Sequence, residues 1–360
     1  MKRIIFIFSL IVTVAVCCIT LTASYGGYFN PDRFKALPAI ISMTFPMWAI
    51  VTPLLGALCY FVNKKLSLAT LVTMIVCFPA FWSFCPLNLF RSSHIDNDSF
   101  TFLSYNTYYE EDYLRRDTFA SNPTVAAILE CDADVVCLQE TLKITYDHRR
   151  KVTDSQVDTL RARYPYRVYD NEFLGFLSKY PIEKVTYPEL PGETAGLFVA
   201  DITINGHKVR FYNTHLQSIG LTNDDKELYL ELTRGNADNH LRQAKRNLLT
   251  KLTNAFRMRA RQARVIANLI RDDDSENVVV CGDFNDISGC YAMRCLEAEG
   301  MTNAYSKAAV GPCYTYRANR FYFHIDQILY KGDLNPAEIH VVKDTGCSDH
   351  LPMSAVFNFN

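Results

Sequence analysis

Six short clusters carry side chains able to hold a metal or move a proton. They are Ser104-Tyr105-Asn106, Leu138-Gln139-Glu140, Asn213-Thr214-His215-Leu216, Gly282-Asp283-Phe284-Asn285-Asp286, His324-Ile325-Asp326 and Ser348-Asp349-His350-Leu351-Pro352. Oxygen donors from Asn, Glu and Asp suit a hard cation, Mg2+ or Mn2+. Histidines beside carboxylates suit proton transfer and the stabilisation of developing charge. Taken singly, each cluster has a plain structural reading, because Asp and Asn are common turn residues and a single Glu after a strand is usually solvated. Asp326 fits that reading least. It lies in an apolar run, where a buried carboxylate needs a partner, and His350 is the expected one. Six such clusters in one chain make coincidence the weaker explanation.

Every cluster ends or interrupts an apolar run, so strands must position them. Val278-Val279-Val280-Cys281 reads as a buried strand that delivers Asp283 and Asn285 to its carboxyl end. In open α/β sheets, ligands bind beyond that end of the strands. Strands are also expected at 100–106, 135–138, 173–177, 198–204, 208–213, 323–329 and 353–357, with Asn205-Gly206 as a hairpin turn. Asn122-Pro123 opens a helix that runs to about Cys131. A longer helical region covers roughly 226–270. Hairpins mixed with helical crossovers predict mixed sheets covered by helices.

The ordered set resembles the endonuclease/exonuclease/phosphatase superfamily with the DNase I-like fold. The resemblance covers about residues 98–360 and rests on GDFN at 282–285, SDH at 348–350, LQE at 138–140 and Leu177-Ser178-Lys179-Tyr180-Pro181-Ile182. It implies an α/β fold, a four-layer sandwich of two mixed β-sheets flanked by helices, with the active site at one edge. It further implies that Asn106 and Glu140 bind the main Mg2+ and that Asp349 joins them. Asp283 would activate the attacking water, and Asn285 would orient that water or the phosphate. His215 would donate to a phosphoryl oxygen, while Asp326 and His350 would stabilise the charged transition state. One departure is informative: abasic-site nucleases of the superfamily carry an acid two residues after the Asn, where this chain has Tyr108, and they lack the histidine of Asn213-Thr214-His215-Leu216. The chain looks more like the secreted DNase, sphingomyelinase and phosphoinositide phosphatase branches, which disfavours base-excision repair and a nuclear or cytosolic role.

Composition splits the chain. Residues 1–90 carry six basic residues and one acid, whereas residues 91–360 carry 31 Lys and Arg against 37 Asp and Glu. That acidic balance argues against a general nucleic-acid-binding surface. Three apolar stretches, about 4–23, 37–62 and 66–90, each approach the length of a bilayer-spanning helix. Residues 1–90 are therefore expected to hold three transmembrane helices, 91–99 a linker, and 100–360 the catalytic domain. The alternative for the first stretch is a cleaved signal peptide. Lys2-Arg3 and Lys64-Lys65 on the cytoplasmic side would place the catalytic domain outside it, with Arg33, Lys35 and Arg91 weighing against.

Twelve cysteines include no CxxC pair among the seven outside the apolar stretches, which disfavours a zinc site. An outside location permits disulfides, though the odd count leaves one thiol over. Cys137 and Cys281 read as small apolar strand residues. Between Arg242 and Arg271 lie nine basic residues and no acid, either a face for anionic lipid or nucleic acid, or a solvated helix face paired with acids elsewhere. The loops at 141–156 and 217–240 are the expected substrate determinants. Together these features predict a membrane-anchored, Mg2+-dependent phosphoesterase acting on a phosphate ester, phospholipid or nucleic acid. The alternatives are an extracytoplasmic nuclease and an inactive binding module of the same fold. No protein partner is readable.

Overall fold

The computed structural model describes residues 2–91, 94–114, 119–170, 173–220, 239–318, 322–343 and 346–360, the backbone alone for 239–245. The first part of the expected 226–270 helix and most of the 217–240 loop lie outside the described residues.

Two six-stranded sheets form the centre. β1 (Ser99–Asn106), β2 (Val135–Gln139), β3 (Tyr166–Tyr169) and β4 (Leu174–Ser178) belong to the first. β5 (Ile182–Thr186), β6 (Gly196–Ile204), β7 (His207–His215), β8 (Asn277–Asp283), β9 (Thr302–Asn303) and β10 (Asp326–Lys331) form the second. β11 (Leu334–Val341) and β12 (Met353–Phe359) return to the first. The strand orders are β11-β12-β1-β2-β4-β3 and β5-β6-β7-β8-β10-β9. β1 pairs with β2, and β7 with β8, in parallel, while the other pairs are antiparallel.

Alternation along the strands decides which side chains meet. Phe100 and Phe102 of β1 point between the sheets and join Phe176, Phe198, Phe211 and Phe357 in the main core. The intervening Leu103 and Tyr105 point outward, as period-two side-chain direction requires. Removing one of those core phenylalanines should cost about 3–5 kcal/mol. The helices Pro123–Cys131 and Asp154–Arg163 cover the first sheet through Val125, Ile128, Val157 and Leu160. The helices Asn239–Arg271 and Tyr291–Ala298 cover the second through Ala263, Ile266, Met293 and Leu296. The result is the four-layer helix–sheet–sheet–helix arrangement that the resemblance implies.

The amino-terminal region departs from expectation. The helices are α1 (Lys2–Tyr25), α2 (Leu37–Ser42), α3 (Phe45–Tyr60), α4 (Lys64–Val76) and α5 (Phe78–Phe84). In order, the later ones are then α6 (Pro123–Cys131), α7 (Asp154–Arg163), α8 (Asn239–Arg271), α9 (Tyr291–Ala298) and α10 (Ala304–Ala308). Among the described residues only α1 is both long and apolar enough to cross a membrane by itself, not three helices. The second apolar stretch breaks between α2 and α3, and the third bends by 57° between α4 and α5. Proline is the cause: Pro38, Pro46 and Pro79 each stand in the first turn of a new helix, where the missing N–H is tolerated and the preceding helix cannot continue.

This region is locked onto the two-sheet part of the chain. A side chain on Gly27 would have its Cβ 2.0 Å from the Gly289 carbonyl oxygen, so only glycine allows that approach. The Arg294 guanidinium lies over the Tyr28 ring, and Asp32 pairs with Arg261 and Arg264. Trp82 and Asn88 both donate to the Ser306 carbonyl. All twelve cysteines are free thiols, so no permitted disulfide is formed. Cys137 and Cys281 are buried in the main core, as expected of apolar strand residues.

Candidate active site

Strand register builds the site. His215, the last residue of β7, stands opposite Asp283, the last of β8. Asp283 in turn stands opposite Asp326, the first of β10. One row across the second sheet therefore carries three ionisable groups. The β7–β8 approach is so close that a Cβ on Gly282 would lie 1.8 Å from the Thr214 carbonyl oxygen, and its φ of +129° also requires glycine. On the facing sheet, Asn106 ends β1 opposite Gln139, and Glu140 follows directly.

The two rows meet. Asn106 Nδ2 donates to Asp283 Oδ2 at 3.0 Å and to Glu140 Oε1 at 3.2 Å. Beneath them, Gln139 Nε2 donates to Asn213 Oδ1 at 2.7 Å and so ties the sheets together under the site. Asn213 also donates to the carbonyls of Leu138 and Gly175. His215 Nε2 lies 3.5 Å from Glu140 Oε1 and 3.6 Å from Asp283 Oδ2. Asn285, in the left-handed region at φ 51°, turns back so that its N–H donates to Asp283 Oδ1 at 2.7 Å. Its side-chain amide donates to the Leu216 carbonyl at 2.9 Å and stands 3.2 Å from His215 Nε2.

His350 enters from the loop before β12. Ser348 Oγ donates to the Asn106 carbonyl and accepts from the His350 N–H, which fixes the loop against β1. His350 Nδ1 then lies 2.8 Å from Asp326 Oδ2, and Nε2 lies 3.6 Å from Asp283 Oδ2. Tyr316 packs edge-on against the imidazole. Burial alone would disfavour the imidazolium, but Asp326, Asp283 and Asp349 outweigh it and hold the His350 pKa well above the usual range. Burial pushes the Asp283 carboxyl up to about 6 against the pull of both histidines, with Asp326 adding to the rise. Asp283 and His350 are thus an acid that gives up its proton reluctantly and a base that keeps one.

Seven of the eight residues singled out from sequence converge at this edge: Asn106, Glu140, His215, Asp283, Asn285, Asp326 and His350. Asp349 stands apart from the two groups of mutually close donors, which are Glu140, His215 and Asp283, and Asp283, Asp326 and His350. It acts on His350 through charge, and its carbonyl accepts from the Arg317 N–H. His324, beside Asp326 in sequence, is buried against the Tyr305 ring with its pKa pushed down to about 4 by burial. It is a neutral packing residue.

Three supporting groups escaped the sequence reading. Glu110 is buried and pairs with Arg150 at 2.5 Å. Thr107 Oγ1 lies 3.1 Å from Glu110 Oε1 and 2.9 Å from the Glu140 carbonyl, so this pair underpins the loop that carries Glu140. That loop is strained: Tyr108, Tyr109, Glu110 and Glu140 all have positive φ. Arg259 of α8 is buried beside Asp286 at 3.5 Å, which anchors the end of the 282–286 turn. The 242–271 basic face is in part accounted for this way, because Arg259, Arg261, Arg264 and Arg271 are all paired with acids.

The donor set fits a hard divalent cation. Glu140 and Asp283, and Asp283 and Asp326, lie close in two donor groups that share Asp283, and Asp326 Oδ1 is buried with no hydrogen-bond partner among the described residues. Glu140 and Asn106 would hold the ion, the Asn amide turning its oxygen inward. Two surface cavities among the described residues, of about 240 and 390 Å³, are lined by none of the seven residues that converge at this edge, though Glu110 and Arg150 line the larger.

The family model described as the Endonuclease/Exonuclease/phosphatase family matches residues 103–350. No curated protein matches the chain. Among solved structures, an endonuclease/exonuclease/phosphatase from Beutenbergia cavernae is similar with a TM-score of 0.50 at 15% identity, over 73% of this chain and 72% of that one. Sphingomyelinase C from Streptomyces griseocarneus gives 0.48 at 20% identity, over 72% and 99%. D. rerio TDP2 complexed with single strand DNA product gives 0.46 at 17% identity, over 73% and 100%. The likeness to the first of these is one of fold.

Proposed function

This chain belongs to the Endonuclease/Exonuclease/phosphatase family, and from that membership and the site geometry we propose that it is a membrane-anchored, divalent-metal-dependent phosphoesterase. Residues 1–90 form the anchoring region in this reading, 91–99 the connection, and 100–360 the catalytic domain on the extracytoplasmic side.

Asn106 and Glu140 would hold a Mg2+ or Mn2+ ion, which would supply polarisation of the phosphoryl group, while Asp349 acts on His350 through charge. The chain's own residues do the rest. Asp283 takes the proton of the attacking water, with its carboxylate aimed by the Asn285 N–H. Asn285 and His215, 3.2 Å apart, present donors to the phosphate oxygens. Asp326 orients and charges His350, whose Nε2 faces the same space and donates to the negative charge that grows in the transition state. The observation that carries this reading is the Asp326–His350–Asp283 sequence of contacts, in which one imidazolium is shared by two buried carboxylates.

A phospholipid or other small phosphate ester is favoured over DNA by the acidic balance of residues 91–360 and by the apolar helices locked beside Gly289. Full-length protein with Mg2+ should turn over phospholipid or aryl phosphate esters faster than duplex DNA. Rapid DNA cleavage with no lipid or small-ester turnover would reverse that order and favour a nuclease.

A further inference from the structure

The helices α1, α3 and α4 pack against one another, and the polarity of that packing is inverted. Its interior is mostly hydroxyl and small residues, with Val16, Phe45 and Leu66 the larger apolar side chains among them. Thr20 and Thr52, both fully buried, share a hydrogen bond of 2.7 Å. Thr13 lies 3.4 Å from Cys59 Sγ. A Cβ on Gly56 would stand 2.3 Å from Thr70 Oγ1, so α3 and α4 touch backbone to side chain there. The outward face is the apolar one: Ile50, Leu54 and Leu58 of α3 are 60–69% exposed, and Leu71 and Ile75 of α4 are 56% and 65% exposed.

In water the opposite arrangement is stable, with apolar side chains inside and polar ones out. Small residues and hydroxyls at the helix contacts, with large apolar side chains outward, are what packing in hydrocarbon favours. Charge agrees. No charged residue occurs between Ile4 and Pro31, between Ala36 and Asn63, or between Leu66 and Phe90. Charges stand only at the ends: Lys2, Arg3, Lys64 and Lys65 away from the catalytic domain, Asp32, Arg33, Lys35 and Arg91 beside it. α1 and α3 run antiparallel, with Thr13 beside Cys59 and Thr20 beside Thr52, so the α3–α4 turn lies towards the basic end.

We infer that α3 and α4 form a re-entrant hairpin embedded in the bilayer beside the single long helix α1, with the lipid acyl chains covering their outward face. At about 1.5 Å per residue, the 16 residues of α3 reach roughly 24 Å, short of the ~30 Å hydrocarbon thickness. The occupant is lipid rather than a second copy because α1, packed against α3 and α4, is itself apolar and only 11% buried over its most apolar stretch. This rests on the anchored reading of α1 proposed above and adds the hairpin to it.

The chain's two tryptophans make the test direct, since Trp48 lies in α3 and Trp82 in α5. Full-length Trp82→Phe protein is reconstituted in phosphatidylcholine vesicles with brominated acyl chains, and a second variant moves the only tryptophan to the far part of α3 (Trp48→Phe, Trp82→Phe, Leu58→Trp). Both should lose most of their emission to the brominated lipid and almost none to aqueous iodide. Quenching by iodide and not by brominated lipid, while the protein still floats with the vesicles, would overturn the hairpin and leave the α1 anchor standing. Protection from both quenchers would overturn it in favour of a second copy covering the face.

Discussion

His350 Nδ1 lies 2.8 Å from Asp326 Oδ2, and the other oxygen of that buried carboxylate has no hydrogen-bond partner among the described residues. The Asp326 carboxylate therefore directs its charge at the imidazole, with Asp283 and Asp349 adding theirs. That charge keeps His350 protonated and fixes which nitrogen faces Asp283.

Asp326→Asn should leave the fold intact and lower kcat by about 10²–10⁴-fold, the range for losing a positioned acid–base partner. The pH profile should move as well. His350 must be charged to donate, so activity is lost as pH rises through its raised pKa. Without Asp326 that alkaline limb shifts to lower pH. A lower rate with an unmoved limb would mean that Asp326 acts on packing and not through His350.

Asp283 carries the opposite requirement. Its carboxyl is pushed up to about 6, from 3.8, chiefly by burial. Activity needs the carboxylate and should fall as pH drops through that value. Stability runs the other way: the metal-free fold binds this proton more tightly than the unfolded chain, so this group's contribution grows as pH falls from about 6 towards 3.8. Asp283→Asn, which removes the buried charge, should raise the stability of metal-free protein at pH 7.5 by on the order of 2 kcal/mol. The gain should shrink on acidification to pH 5. Thermal melts in chelator at both pH values check this, and a gain that is absent or independent of pH contradicts it.

Arg150→Ala would leave the Glu110 carboxylate buried beneath the Glu140 loop with the Thr107 and Thr141 hydroxyls but no charged partner among the described residues. Loss of one partner of a buried ion pair costs about 3–5 kcal/mol. The loop through Thr107 should also loosen, so metal affinity should fall together with stability. Calorimetric titration with Mn2+ alongside a melt reads both, and unchanged values for either would remove Arg150 from the support of the site.

How much of this was legible in the sequence depends on range. The runs ending at Asn106, Gln139, His215 and Asp283 have strand composition, and each places its polar residue at a strand's carboxyl end, where neighbours in register come together. The shorter or broken strands were not visible. β11 contains Pro336 and a register shift beside it, and β3 is four half-exposed residues of an edge strand. The Glu110–Arg150 and Arg259–Asp286 pairs join residues 40 and 27 positions apart, and no local pattern announces them. The second and third expected membrane spans failed for a local reason that hydropathy averages away: Pro46 and Pro79 each start a new helix inside an apolar run.

The central claim is that the edge where Asn106, Glu140, Asp283 and His350 meet hydrolyses phosphate esters with a divalent ion. Its most direct test is turnover of an aryl phosphodiester by full-length protein in mixed micelles, with and without chelator, for wild type and Asp283→Asn. Chelation should abolish turnover, Mg2+ or Mn2+ should restore it, and Asp283→Asn with metal should remain at least about 10²-fold below wild type. Undiminished turnover in chelator, or in the Asp283→Asn protein, would contradict the account.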